Sequence, residues 1–263
     1  MLLIDAGNTR VKWALADNHA APGVWLEQGA VTHADLPQLE LAWSEAVARH
    51  GVGRIIIANV AGNALRVQLE YVLQRAFPEL LLEQAVTWFA SLPSLAGVTN
   101  GYRQPAQLGC DRFAAAIGGH TLAPGCPVIV ANCGTATTID AITADGFFLG
   151  GMILPGLGLM AGALARNTAQ LPQIAQDGKL PDGFADNTDD AILSGCMVAQ
   201  SGAIEHAFAQ HGASVCILSG GAAPYIAPLL RVPYRSVDNV VLIGLHASAL
   251  HRAEDGANGS ASA

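Results

Sequence analysis

Two stretches of this chain repeat one pattern, and any fold must accommodate both. Residues 1–4 form a short apolar run that leads into Asp5-Ala6-Gly7-Asn8-Thr9. Residues 128–131 form another, leading into Asn132-Cys133-Gly134-Thr135-Ala136-Thr137-Thr138. Each reads as an apolar strand, a polar residue, any residue, glycine, and then Asn-Thr or Thr. Each is followed by a second strand-like segment, residues 11–15 in the first case and 139–142 in the second. Two strand–turn–strand units of this kind predict two similar halves facing a shared cleft. Glycine lets a ligand approach the backbone, and the N–H groups of a tight turn suit phosphate oxygens. A carboxylate at Asp5 can hold a hydrated magnesium ion against those phosphates. Asp, Gly and Asn are also the commonest residues of ordinary turns, so a single copy of the motif leaves both readings open.

Further strand-like runs fall at residues 54–60, 147–153, 215–218 and 240–242, with helical patterns at 36–50, 64–76, 108–120 and 189–211. Such alternation predicts an α/β protein. The 108–120 helix lies between the two halves and marks the expected domain boundary. No Ser/Gly linker separates the halves, so close packing is expected. Residues 252–263 are small and polar and are expected to fray.

Composition narrows the function. A hydrophobic share of 51% over 263 residues suffices for one large core or two modest ones. With 13 Lys and Arg against 21 Asp and Glu, the formal charge of -8 argues against nucleic acid or an anionic membrane as the main partner. Five cysteines, none in Cys-x-x-Cys spacing, fit a reduced cytoplasm better than a disulfide framework. The opening lacks the basic segment of a signal peptide, so a cytoplasmic protein is expected. The uncharged stretch 147–165 is long enough to span a bilayer. Its five glycines and Pro155 instead predict a buried strand, a glycine-rich turn and a helix start. Gly156-x-Gly158-x-x-x-Gly162 misses the dinucleotide fingerprint by one residue, and no Walker-type phosphate loop occurs. The eight histidines show no zinc spacing. Cys110 and Cys133 flank candidate site positions and read as small buried thiols.

A third block, Gly101-Tyr102-Arg103-Gln104-Pro105-Ala106-Gln107-Leu108-Gly109-Cys110-Asp111-Arg112, ends just inside a helix start. Asp111 there offsets the helix dipole, a purely structural role open to any carboxylate at that position. Its place between two candidate phosphate turns favours a chemical role instead.

On these motifs the chain resembles the type III pantothenate kinases, also called the Bvg accessory factor family, of the acetate and sugar kinase/Hsc70/actin superfamily. The markers are the opening Asp-x-Gly-Asn-Thr, the Tyr102 to Arg112 block and Gly134-Thr-Ala-Thr-Thr. Gly150-Gly151-x-Ile-x-Pro-Gly, Asn187-Thr188 with Gly195, and Ser219-Gly220-Gly221 complete the series. The resemblance implies an α/β fold of two similar ribonuclease-H-like (actin-like ATPase) domains flanking a nucleotide cleft. They are expected at residues 1–115 and 116–255, with a disordered tail at 256–263. It implies transfer of the γ-phosphoryl group of ATP to pantothenate, the first step of coenzyme A synthesis.

Carried over residue by residue, Asp5, Ala6, Gly7, Asn8, Thr9, Arg10, Val11 and Lys12 match the first phosphate loop, with Asp5 beside magnesium. Thr135 matches the second phosphate contact, and Gly220 and Gly221 the adenosine-side turn. Asp111 matches the catalytic base. Tyr102, Gly109, Cys110, Asp111 and Arg112 match the pantothenate-binding segment, and Thr188 a contact made across a homodimer interface. The family's cofactors are ATP with Mg2+ and a monovalent cation, K+ or NH4+. Two departures stand out. Asn132 replaces the Asp that helps hold that cation in many members, and Ala222 replaces an acidic residue after the double glycine. Two alternatives remain: another small-molecule kinase of the superfamily, and a non-catalytic regulatory nucleotide-binding protein. Tyr102 with the Gly109 to Arg112 block speaks against the first. Asp5, Asp111 and Arg112 together speak against the second.

Overall fold

The structure is a computed structural model that describes residues 1–166, 181 and 183–260. The chain forms two compact units, Met1–Thr121 with Val241–Ala263, and Leu122–Val240.

The first unit is built on β1 (Leu2–Ala6), β2 (Arg10–Leu15) and β3 (Glu27–Thr32), an antiparallel meander. Helix α1 (Gln38–His50) leads to β4 (Ile55–Asn59), which pairs parallel with β1. Helix α2 (Asn63–Ala76) and the short α3 (Leu82–Ala85) lead to β5 (Val86–Trp88), parallel to β4. The strand order is β3-β2-β1-β4-β5. β1 and β4 read as nearly unbroken apolar runs because both of their faces are buried. Leu39, Trp43 and Ala46 of α1 and Leu65, Leu69, Val72 and Leu73 of α2 form the buried stripes. They pack on Leu2, Ile4, Ile55 and Ile57. Each such Leu or Ile withdrawn from water contributes about 1.5–3 kcal/mol. A hairpin of β6 (Ser94–Leu95) and β7 (Val98–Asn100) then precedes α4 (Cys110–Leu122).

The second unit holds β8 (Val128–Cys133), β9 (Ala136–Ile142) and β10 (Phe147–Pro155), followed by α5 (Leu157–Arg166) and α6 (Thr188–His211). It closes with β11 (Val215–Ser219), the short α7 (Ala223–Ile226) and β12 (Tyr234–Ser236). Its strands run in the order β12-β11-β8-β9-β10. The β8–β9–β10 meander, flanked by a parallel strand, repeats the plan of β1–β2–β3 and β4. Helix α8 (Val240–Ser260) then returns to the first unit.

Three expectations need correction. The run at 240–242 is the first turn of α8, not a strand. Val240, Val241, Leu242, Ile243 and Leu245 are all buried. A helix buried on every side carries no polar stripe, so its branched residues mimic a core strand. The strand within 147–165 forms, but it is largely exposed, with Phe148 fully buried and Leu149, Met152 and Ile153 open. The segment splits into β10 and α5, and among the described residues no helix is long and apolar enough to cross a membrane. Helix α8 continues through the stretch expected to fray as far as Ser260, and residues 261–263 lie outside the described ones.

Candidate active site

In the first unit the expected residues collect at the carboxyl ends of β1 and β4. Parallel pairing sets Asp5 beside Ala58 and Ala6 beside Asn59, so both strands end at one level. Open α/β sheets bind ligands at that edge. Asp5 is only 9% exposed, although it is a carboxylate. The turn from β1 to β2 closes with the Gly7 N–H donating to the Arg10 carbonyl at 3.2 Å. Asn8, Thr9 and Arg10 are exposed at its tip, while Val11 is buried and Lys12 half-buried. The Val60 N–H donates to the Ala6 carbonyl at 3.1 Å, carrying the pairing one residue past β4.

The start of α4 comes to the same place. The Cys110 thiol lies 3.6 Å from the Asn59 carbonyl, and its pKa is pushed up to about 11. Burial is the main cause, and the charges of Asp111 and Asp5 add to it. Cys110 is therefore a neutral thiol between two carboxylates, unsuited to nucleophilic work. Burial also raises the Asp111 carboxyl above its ordinary value of 3.8, opposed by the Arg112 backbone N–H and guanidinium. That N–H donates to Asp111 Oδ1 at 2.8 Å. Gly109 makes room for this geometry: a Cβ there would sit 2.6 Å from Asp111 Oδ1.

Arg112 is 7% exposed, and its Nη1 donates to the Tyr102 hydroxyl at 2.8 Å, with the guanidinium 5.7 Å from the ring centroid. Asn100 holds the Tyr102 loop from beneath. Its Nδ2 donates to the Leu92 and Pro105 carbonyls at 3.3 and 3.1 Å, and its Oδ1 accepts from the Tyr102 N–H at 3.1 Å. Tyr102, Gly109, Asp111 and Arg112 are thus brought together, and Asp5 and Cys110 join them.

Asn59, Asn100 and His33, whose Nε2 lies 2.9 Å from the Gly7 carbonyl oxygen, also belong to this construction and stand outside the sequence motifs. Asn59 does carry a signal, because it ends an apolar strand as Asp5 does. Asn100 and His33 sit in short polar stretches without periodicity.

In the second unit, the β8–β9 turn carries Asn132, Thr135 and the glycines around them. The Gly134 N–H donates to the Ala136 carbonyl at 3.0 Å, closing the turn as Gly7 closes its counterpart. Two other segments press on it. The Gly156 N–H donates to the Thr135 carbonyl at 2.9 Å, and a Cβ at Gly156 would meet the Gly134 carbonyl at 2.2 Å. Gly220, at φ +97°, lies so close to Cys133 that a Cβ would sit 2.4 Å from its carbonyl oxygen. The Ala222 N–H donates to that same oxygen at 2.9 Å. The Ser219-Gly220-Gly221 turn and the Thr135 turn are therefore one packed assembly. Asn132 is half-buried, in register with Thr138 of β9 and Ser219 of β11. Thr188 stands apart from them as the exposed first residue of α6, behind Asn187, which caps that helix through the Asp190 N–H at 3.0 Å. Burial pushes the Cys133 thiol up to about 11 and Cys216 to about 12. All five cysteines are free.

Among the described residues, no three His, Cys, Asp or Glu side chains gather to hold a metal by themselves. Asp5 is a hard oxygen donor, which suits magnesium held by one carboxylate together with substrate phosphates.

A family profile described as type III pantothenate kinase matches residues 1–210. The type III pantothenate kinase of Herminiimonas arsenicoxydans is 54% identical over 260 residues, spanning 95% of this chain and 98% of that one. That of Janthinobacterium sp. (strain Marseille) is 53% identical over 259 residues, spanning 95% and 97%. Among solved structures, a Campylobacter jejuni protein assigned to the Baf family of transcriptional activators superposes with TM-score 0.58 at 18% identity, over 97% of this chain and 100% of that one. The activator of 2-hydroxyisocaproyl-CoA dehydratase from Clostridium difficile, with bound ADPNP, gives 0.56 at 10% identity, over 100% and 97%. At such identities these two speak for the fold alone, the two-domain α/β fold of actin-like ATPases and sugar kinases. Sequence identity above one half over nearly the whole length settles the rest: the chain belongs to the type III pantothenate kinase family.

Proposed function

We propose that the chain phosphorylates pantothenate with ATP, giving 4'-phosphopantothenate and ADP. The observation that carries this reading is Asp111, a half-buried carboxylate of raised pKa beside Arg112 and Tyr102, in a chain of this family. Asp111 accepts the proton of the pantothenate primary hydroxyl as that oxygen attacks the γ-phosphorus, and the bond to the ADP oxygen breaks. Phosphoryl transfer needs positioning and charge neutralisation more than covalent help. Tyr102, Gly109, Cys110 and Arg112 are the proposed pantothenate contacts, Arg112 held ready by the Tyr102 hydroxyl. Residues 5–12 are the proposed first phosphate loop. Asp5 would hold magnesium, which supplies charge neutralisation on the phosphates when bound. Thr135, Gly220 and Gly221 are proposed nucleotide contacts, supported by their packing into one assembly.

Asn132 can offer a carbonyl oxygen to K+ or NH4+ but no charge, so cation activation should be weaker than where Asp stands. A homodimer is supported by exposed apolar side chains on the second unit: Leu149 and Ile153 of β10, Leu159 and Leu164 of α5, and Val198 of α6. Thr188 would serve the pantothenate site of the other copy. A cytoplasmic setting agrees with five free cysteines.

The deciding experiment follows ADP release from Mg-ATP with pantothenate, under potassium, ammonium, sodium and no added cation. Pantothenate-dependent turnover is expected, with a shallow cation ranking. A folded protein that turns over under none of these conditions would point to a different phosphoryl acceptor or a regulatory binder.

A further inference from the structure

We infer that His33 is a positioning residue for the nucleotide, acting through the peptide bond that joins Gly7 to Asn8. The inference rests on residues 5–12 being the phosphate loop. His33 Nε2 lies 2.9 Å from the Gly7 carbonyl oxygen. A carbonyl only accepts, so Nε2 carries the proton and donates. Nothing near His33 in the sequence announces this contact, which the sheet makes. In the antiparallel pairing of β2 with β3, Thr32 is the partner of Arg10. The next residue along, His33, therefore stands beside the turn that joins β1 to β2. The backbone around it is tied locally. The Thr32 hydroxyl donates to Asp35 Oδ2 at 2.6 Å, and Gln38 Nε2 donates to Asp35 Oδ1 at 3.1 Å.

What the contact does follows from peptide geometry. A trans peptide is planar, with its C=O and its N–H pointing in opposite directions, and no cis bond occurs among the described residues. Fixing the Gly7 carbonyl on His33 aims the Asn8 N–H away from His33. Gly7 has no side chain to restrict this plane, and an added Cβ would make only an ordinary 3.5 Å contact with the Arg10 carbonyl. The loop's own hydrogen bond, from the Gly7 N–H to the Arg10 carbonyl, fixes the preceding peptide and leaves this one to His33. If the plane turned over, the carbonyl's negative end would occupy the place of an N–H donor, and a phosphate would meet repulsion where it now meets a hydrogen bond. His33 thus sets the sign of one dipole in the phosphate loop without touching nucleotide.

The test compares His33→Ala, His33→Gln and Asp5→Asn with the unaltered protein. Binding of Mg-ATP is measured by titration calorimetry, KM for each substrate by ADP release, and Tm by thermal melting. A glutamine amide can reach the Gly7 carbonyl from the same backbone position. His33→Ala is expected to weaken Mg-ATP binding about three- to tenfold, the range for one lost hydrogen bond. KM for pantothenate and Tm should stay near the starting values, and His33→Gln should recover most of the loss. Unchanged Mg-ATP affinity in His33→Ala, with Asp5→Asn impaired, would overturn the role of His33 and leave the loop standing. Unchanged affinity in Asp5→Asn would overturn the loop and the inference together. A loss shared equally by both substrates, with a lowered Tm and no recovery by glutamine, would reduce His33 to a structural residue and overturn the inference.

Discussion

Asp111 illustrates how a residue that serves chemistry can burden the fold. Because burial raises its carboxyl, the folded chain binds that proton more readily than the unfolded chain does. Stability tied to this group is therefore gained as pH falls through the raised value, and the buried charge costs stability above it. Asp111→Asn should melt at the same or a higher temperature than the unaltered protein at pH 7, while kcat falls about 10²–10⁴-fold. Mg-ATP affinity should hardly change, and turnover at the unaltered rate would remove Asp111 from the mechanism. The acid limb of kcat/KM should have its midpoint above 3.8, the ordinary aspartate value, since the base must be ionised to act. Gly109→Ala offers a second view of the same group. Its Cβ would fall 2.6 Å from Asp111 Oδ1 and push the carboxylate aside. A displacement of about 1 Å costs up to a hundredfold in rate, so kcat should drop about tenfold or more with little change in Tm.

At the scale of elements, glycines mark where two segments share one space. Helix α8 crosses α4 so closely that a Cβ on Gly244 would lie 1.7 Å from the Ala114 carbonyl oxygen. Gly244→Ala must part the two helices and should cost about 3 kcal/mol, the upper end for an overpacked site, read as a lowered midpoint in urea. Gly220→Ala adds a strained φ to a clash with Cys133, so it should weaken nucleotide binding and stability together. The sequence made some of these elements plain and hid others. β1, β4 and β8 were legible because strands buried on both faces read as apolar runs, and β2 and β9 because each follows a glycine turn and keeps a short apolar stretch, residues 13–15 and 139–142. α1 and α2 were legible because each has one wet side, and α6 because a long run without proline follows the Asn187 cap. β3 was not, since Glu27-Gln-Gly-Ala-Val-Thr32 is polar and carries a glycine. That glycine lies across from Trp13, whose indole takes the space of its missing Cβ. The contacts of the site were legible as motifs only. Asp5, Asp111 and Arg112 announce themselves by residue type, whereas His33 and Asn100 act through backbone carbonyls that any residue could present.

For the whole molecule, an expected homodimer is checked by sedimentation velocity, with twice the 27.1 kDa of one chain as the expected mass. A subtler property follows from the return of α8 to the first unit. The helix that covers α4 is encoded after the entire second unit. On the ribosome, Gly244 is made long after Ala114. At roughly 5–20 residues per second, the interval is on the order of ten seconds. Through that interval the apolar flank of α4 waits for its cover, and by its end the second unit has all of its own chain. The nascent protein should therefore mature from the middle outward. Released chains ending at Asn239 should resist protease across residues 122–166 and 183–239 and be cut readily before them. A mutation that slows the docking of Val240–Ser260 would then surface as poor yield from the cell, with the purified enzyme working at its ordinary rate.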